Sequence, residues 1–486
     1  MNCRIISILT LVFFIFGLCG CKKFVEVDGP ATSVSSKNVY NSDATAIGAI
    51  SSLYVNLSSS NLITSQELSG LSVIAGLSGD ELDYYSGAGN DALAIHYQNS
   101  LTLLNVGLDF WSNTYRRLYV VNTALEGLES SSGLTPLVKQ HLMGEAYFMR
   151  AFNYFYLVNL YSDVPLVLSS DYTVNAVIKR TAKALVYDQI VADLKAAQGL
   201  LGNGYLTGNG ITEYSPELEE RVRPNKWAAT ALLARTYLFM ERWADAEATA
   251  TQVLSNHTSF ELGTLENVFL KNNREAIWQL QPTAFGFNTR EAQTFIVPDE
   301  GPSSYNPVYL SKELLSDFET GDRRKGNWVG DVHANGTVYY YPYKYKVKQS
   351  AITNAPVTEY STVVRLAELY LIRAESRARL GNLADAISDV DQIRKRAGLP
   401  LVKGMNPNIN QADLVTLILK EKRIEFFTEW GHRWLDLKRT GKVDEVMAKV
   451  TPKKNNGNTW KSYQQYYPIS SLELQSNPSL TQTPGY

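Results

Sequence analysis

Cysteine is nearly absent from this chain of 486 residues: Cys3, Cys19 and Cys21 are its three, and none follows. Everything downstream of Cys21 is therefore without a disulfide, a thiol nucleophile or a thiolate metal site. Histidine is scarce as well. His96, His141, His257, His333 and His432 are scattered, and no two stand at the helical spacing that aims paired imidazoles at one ion. They read as surface or capping residues. There is no serine nucleophile elbow and no phosphate-cradling glycine loop, so the sequence predicts no catalytic site, no metal and no cofactor. Net charge is only −2 and no dense Lys/Arg block occurs, which removes nucleic acid from the expected partners.

What is present is ample core material. Hydrophobic residues make up 45% of the chain and charged ones 19%, the balance of a globular protein longer than a single core usually supports. The N-terminus carries Arg4, an apolar run from Ile5 to Phe16 and then Leu18-Cys19-Gly20-Cys21. That run is short for a bilayer span but suits a secretory signal over residues 1–20. Small residues directly before Cys21 resemble a bacterial lipobox, so Cys21 is the expected lipidation site. Several acyl chains on one residue give a stable anchor. Residues 21–36, polar and containing Gly29-Pro30, read as a tether to a body spanning 37–486.

Helical periodicity dominates that body. Trp111, Tyr115, Leu118, Val121, Asn122 and Leu125 recur at three- and four-residue intervals. Between Gly144 and Tyr161 the aromatics Tyr147, Phe148, Phe152, Phe155 and Tyr156 surround most of the helix, which predicts packing on several sides. A repeat is also visible: Trp227 to Leu254 aligns on Ala367 to Arg394 at a constant offset of 140 residues. Ala234 meets Ala374, Ala246 meets Ala386, Val253 meets Ile393, and Glu241 meets Gly381 at a turn. Small residues at those places let paired helices approach closely, as in tetratricopeptide hairpins. Trp111, Trp227, Trp430 and Trp434 fall inside helical blocks and are expected in the core or between helices.

Two stretches break the pattern. Ser255 to Thr362 is rich in Pro, Gly, Asn and aromatics and reads as an insertion of loops and short strands. Within it Tyr339, Tyr341, Tyr343 and Tyr345 share one face of a strand, a stripe suited to sheet packing, and Pro342 argues against a central position. The other stretch, Gly76 to Gly89, holds Asp80, Glu81, Asp83, Tyr84 and Tyr85. Its carboxylates are potential oxygen ligands or an acid pair, but a solvated loop is the plainer account. Sugar rings stack their apolar C–H faces on aromatics while their hydroxyls need polar partners. Tyr84, Tyr85, Tyr305 and Trp328, with Asp83 beside them, are accordingly the candidate ligand-binding residues.

In order along the chain, seven blocks resemble the SusD/RagB family of outer-membrane lipoproteins. They begin with Cys21-Lys-Lys-Phe-Val-Glu26, the helix from Trp111 to Ala124, and Gly144-Glu-Ala-Tyr-Phe-Met-Arg-Ala151 with Asn159-Leu-Tyr-Ser-Asp-Val-Pro165. They continue with Gly321-Asp-Arg-Arg324, Arg365 to Glu375, and Glu421 to Phe427 followed by Gly431 to Leu437. Tyr467-Pro-Ile-Ser470 with Pro484-Gly-Tyr486 closes the series. The resemblance implies a mainly α fold: tetratricopeptide-like helix hairpins, an α/α superhelix, at about 107–254 and 363–440, with a variable short-strand lobe at about 255–362. It also implies a non-enzymatic, surface-exposed nutrient receptor that captures oligosaccharide and passes it to a TonB-dependent SusC-like transporter. A peptide receptor of the RagB type is the alternative reading, and a surface glycan hydrolase a more distant one.

Overall fold

The structure, a computed structural model, describes residues 39–283, 286–349, 355–454 and 457–486. The expected signal segment, the tether at 21–36 and the lipidation site Cys21 lie outside the described residues.

The fold is mainly helical. In chain order its principal helices are α1 Asp43–Ser59, α2 Leu71–Ser78, α3 Asp91–Tyr97, α4 Phe110–Ser130, α5 Pro136–Tyr161 and α6 Lys183–Leu200. They continue with α7 Lys226–Phe239, α8 Trp243–Leu254, α9 Leu366–Arg379, α10 Leu383–Ala397, α11 Gln411–Glu425, α12 His432–Arg439 and α13 Val443–Lys454. Local chemistry sets several boundaries. The side chains of Ser42, Asp109, Asn225 and Asn410 accept backbone N–H bonds at the starts of α1, α4, α7 and α11, and Pro136 opens α5. Gly398, at φ +75°, ends α10 in the left-handed conformation.

The hairpins read from the repeat are present with their offset intact. Helices α7 and α9 begin at residues 226 and 366, and α8 and α10 at 243 and 383. Ala234, Ala246 and Val253, and their counterparts Ala374, Ala386 and Ile393, are all fully buried. The small side chains of the four alanines allow the close approach of each pair. At the turns both Glu241 and Gly381 take positive φ, +57° and +87°. Helix α5 is the axis of the molecule. Every residue from Phe148 to Tyr161 is buried, with Phe148 and Phe152 meeting the Trp278 ring edge-on at 4.9 and 5.2 Å. Arg150 binds Asp193 of α6 through two hydrogen bonds, of 2.8 and 2.7 Å, so the helix's buried charge is compensated.

Among the described residues eight short strands form four two-stranded antiparallel ladders: β1 Leu82–Tyr84, β2 Val164–Pro165, β3 Arg180–Thr181, β4 Ala276–Leu280, β5 Val308–Leu310, β6 Val329–Ala334, β7 Thr337–Pro342 and β8 Ser361–Arg365. Strand β4 pairs with β8, β6 with β7, β2 with β3, and β1 with β5. Pro342 sits at the end of β7, where its missing N–H breaks no ladder bond between neighbours on both sides. The stretch 255–362 also feeds the main core through Phe260, Leu265, Trp278, Trp328 and Tyr345.

The two hairpin turns offer a paired test. A left-handed φ costs a side-chain-bearing residue about 1 kcal/mol relative to glycine. The space around Gly381 is open, so only backbone strain is at issue there. Gly381→Ala is expected to lower, and Glu241→Gly to raise, the urea midpoint of unfolding; shifts of the same sign would contradict the shared geometry.

Candidate functional site

The ladder between β1 and β5 brings together the two loops singled out in the sequence. Asp83 stands opposite Tyr309 and Tyr84 opposite Val308, and the Tyr85 N–H continues the pairing to the Pro307 carbonyl at 2.8 Å. A cleft of about 500 Å³ opens beside this ladder. Tyr97 of α3, Tyr309, Tyr339 and Tyr340 supply its aromatic surface; Asp83, Glu313, Lys453 and Lys454 supply its charge.

Its groups are held by one another. The Tyr97 hydroxyl donates to Asp83 Oδ1 at 3.1 Å, and the rings of Tyr309 and Tyr339 meet edge-on at 5.1 Å. Burial pushes the Asp83 carboxyl up, and it pushes the Tyr309 hydroxyl to about 12. Lys454, half-buried at the end of α13, donates to the carbonyls of Leu77 and Gly79 and lies 4.9 Å over the Tyr97 ring. Burial lowers its ammonium to about 8. Lys453 pairs with Glu313 at 2.6 Å. The arrangement presents tyrosine faces and edges beside carboxylate acceptors and ammonium donors, with no nucleophile poised against a base.

The candidate residues from the sequence have different fates. Asp83 lines the cleft. Tyr84 is half-buried, its hydroxyl bridging the N–H and carbonyl of Asn90 and its ring lying beside Tyr97. Tyr85 is half-buried and folds over Gly87. Tyr305 is 83% exposed, in the turn that leads into β5. Trp328 is corrected: it is fully buried, its indole N–H donates to the Leu265 carbonyl at 2.9 Å, and the Lys344 ammonium lies 5.0 Å from its ring. No face of it is free to stack on a ligand.

The solvated-loop reading of Gly76 to Gly89 is corrected as well. Gly76 to Ser78 belong to buried α2, and Asp80 and Glu81 are both enclosed. Asp80 binds Arg433 at 2.9 and 2.8 Å and Arg423 at 2.9 Å. Burial opposes its charge, but these arginines prevail and lower the carboxyl to about 2. Among the histidines, His96 is neither surface nor cap: fully buried, it accepts the Leu108 N–H at 3.2 Å. Tyr97, Tyr309 and Lys454 went unread; Tyr339 was seen, as packing.

A larger cavity, about 850 Å³, lies elsewhere, between the 257–266 segment and helices α9 and α10. Its Arg274 is tied to Glu261, and its Arg396 to Glu275 and Glu425. Phe260 is buried there and Tyr370 half-buried, so the lining is mainly polar and charged and offers little aromatic face for stacking. Among the described residues no group of His, Cys, Asp and Glu is arranged to hold a metal ion.

Comparison with known proteins agrees with the fold. The model of the SusD family matches residues 315–486, and a model described as starch-binding associating with outer membrane matches residues 83–238. A SusD-like protein of Formosa agariphila is 26% identical over 99% of this chain and 98% of its own length. The starch-binding protein SusD of Bacteroides thetaiotaomicron is 32% identical over 25% of this chain and 21% of its own. Among solved structures, a SusD superfamily protein from Bacteroides vulgatus superposes with a TM-score of 0.77 at 21% identity, covering 91% of this chain and 99% of that one. A laminarin binding SusD-like protein gives 0.72 at 22% identity, covering 91% and 98%.

Glu81 is one of the carboxylates whose charge the fold disfavours. Burial, and then the neighbouring Asp80, raise its carboxyl to about 7, and its Oε1 has no partner among the described residues. The folded protein therefore keeps a proton on Glu81 that the unfolded chain loses near pH 4.5, and stability falls as pH rises between about 4.5 and 7. The loss is about 3 kcal/mol at most. Glu81→Gln is expected to raise Tm at pH 8 and to leave it nearly unchanged at pH 4; an equal effect at both would mean that Glu81 does not titrate in this way.

Proposed function

We infer, for a chain that belongs to the SusD-like family, a nutrient-binding role without covalent chemistry: it captures an oligosaccharide in the cleft beside the β1–β5 ladder. The observation that carries this reading is the convergence of Tyr97, Tyr309 and Tyr339 with Asp83, Glu313 and Lys454 around one open cleft. Sugar C–H faces stack on the tyrosines, hydroxyl protons go to Asp83 and Glu313, and hydroxyl oxygens accept from the lysines. Tyr85 and the exposed Tyr305 extend the platform from the same loops.

Relatives that bind laminarin and starch support an oligosaccharide as the ligand. Attachment to the outer membrane through lipid on Cys21 is part of the same proposal. The family model's association with that membrane supports it, and among the described residues no helix is long and apolar enough to cross a bilayer. The receptor then faces outward and hands its cargo to a TonB-dependent SusC-like transporter. An open cleft held by stacking and a few hydrogen bonds suits such a hand-over, because no buried contact has to break before release.

Titration of the purified protein against a panel of defined oligosaccharides and peptides tests the reading. Tyr309→Ala and Tyr339→Ala are each expected to weaken glycan binding roughly tenfold, about 1.4 kcal/mol. Binding of peptides alone, indifferent to both substitutions, would overturn both ligand and site.

A further inference from the structure

A second groove, of about 370 Å³, shares no lining residue with the Asp83–Tyr309 cleft. Its walls come from the first half of α4, from the 165–178 segment and from residues 473–480. Two of its tyrosines face solvent, Tyr119 at 53% exposure and Tyr172 at 78%, and neither hydroxyl has a partner among the described residues. Beneath them the aromatic floor is fixed. Tyr115 donates its hydroxyl to the Pro165 carbonyl at 2.8 Å, and its ring lies 4.9 Å from that of buried Trp111.

Polar atoms stand beside these rings. Glu473 accepts from Ser112 Oγ at 2.6 Å through Oε1, and its Oε2 is uncommitted. The Asn175 side-chain nitrogen donates to the Ser169 carbonyl at 2.9 Å, which leaves its side-chain oxygen free. Exposed apolar residues scattered singly need no explanation. Two exposed tyrosines converging on one concave surface, over a rigid floor and next to a half-satisfied carboxylate, are a different matter. An acyl chain or an apolar protein side chain filling this groove would strip water from Glu473 and give nothing back. A sugar covers the rings with its C–H face and donates its hydroxyls to the carboxylate and the amide. Val174 and Val177, exposed on the same segment, do not line the groove.

We propose that the groove between Tyr119, Tyr172 and Glu473 is a second carbohydrate-binding platform, occupied by a short stretch of an oligosaccharide. The proposal rests on the receptor reading for its ligand class but not on the location of the first cleft. A chain long enough to reach both platforms gains through effective concentration, without any new contact at either.

The test titrates laminarihexaose, maltoheptaose, cellohexaose and xylohexaose calorimetrically into the wild type, into Tyr309→Ala/Tyr339→Ala and into Tyr119→Ala/Tyr172→Ala. Circular dichroism of each variant verifies the fold. The substituted groove residues are largely exposed, so truncating them removes no core contact. Two sites per chain are expected for at least one glycan, with one site lost in each double variant. Binding lost in the groove variant alone would support the groove and move the receptor site away from the cleft. One site, lost with Tyr309 and Tyr339 and untouched by Tyr119→Ala/Tyr172→Ala, would overturn the groove and leave the receptor reading standing. No binding to any of the four, or binding indifferent to both variants, would overturn the groove together with the assigned cleft.

Discussion

Arg365 is the point on which most of this architecture hangs. It closes β8 and caps the start of α9, and it is 2% exposed. Its guanidinium donates to Glu275 Oε1, Glu425 Oε1, both oxygens of Glu429 and the Glu425 carbonyl, all at 2.6 to 2.9 Å. Burial works against its charge, but Glu429, Glu425 and Glu275 outweigh that and hold the guanidinium well above the ordinary arginine value. Arg396 joins Glu275 to Glu425 from α10, Arg324 binds Glu421, Glu425 and Asp322, and Lys344 closes on Glu429. Breaking one member of such a buried set costs about 3–5 kcal/mol, because a charge is left uncompensated in a low dielectric. Helices α9, α10 and α11 and strands β4 and β8 are thereby fixed at one junction, and the long 255–362 stretch is pinned at both ends.

The same junction reaches the cleft beside the β1–β5 ladder through a strained connection. Between α11 and α12, Thr428, Trp430 and Gly431 all take left-handed φ, at +55°, +46° and +76°. Two of these are not glycine, so the conformation is held by what surrounds it. The Trp430 N–H donates to Ser72 Oγ of α2 and its indole N–H to the Thr362 carbonyl. Glu429, lodged between them, is the residue that Arg365 and Lys344 share. Helix α2 leads directly into β1, so the strand that carries Asp83 takes its position from the buried charges.

The helical scaffold was legible because its signals are local or periodic. Alanines at matched places in two hairpins, and aromatics around one helix, need only the spacing of a single element to be understood. The site was legible only in part. Asp83 and Tyr305 sit in loops whose composition marks them, but the pairing of β1 with β5 joins residues more than 200 positions apart through backbone atoms, which leave no trace in side-chain pattern. The burial of Asp80 and Glu81 leaves no local mark, because Arg423 and Arg433, which compensate the Asp80 charge, lie far along the chain and Glu81 is enclosed without a compensating partner among the described residues. Trp328 misled for a similar reason. Gly326 and Gly330 on either side suggest an exposed loop, whereas the residue ends a helical turn and its indole hydrogen bond goes to Leu265.

The β1–β5 ladder is only three residue pairs long, and it is built from main-chain atoms. Val308 and Asn306 are buried and Tyr84 is tied to Asn90, but the side chains at 83, 85, 305 and 309 take no part in the ladder bonds. Substitutions at those four positions leave the large buried charges and the hairpin contacts untouched. Under the proposed reading, the surface can therefore change what it recognises at these four positions while the scaffold beneath keeps its shape.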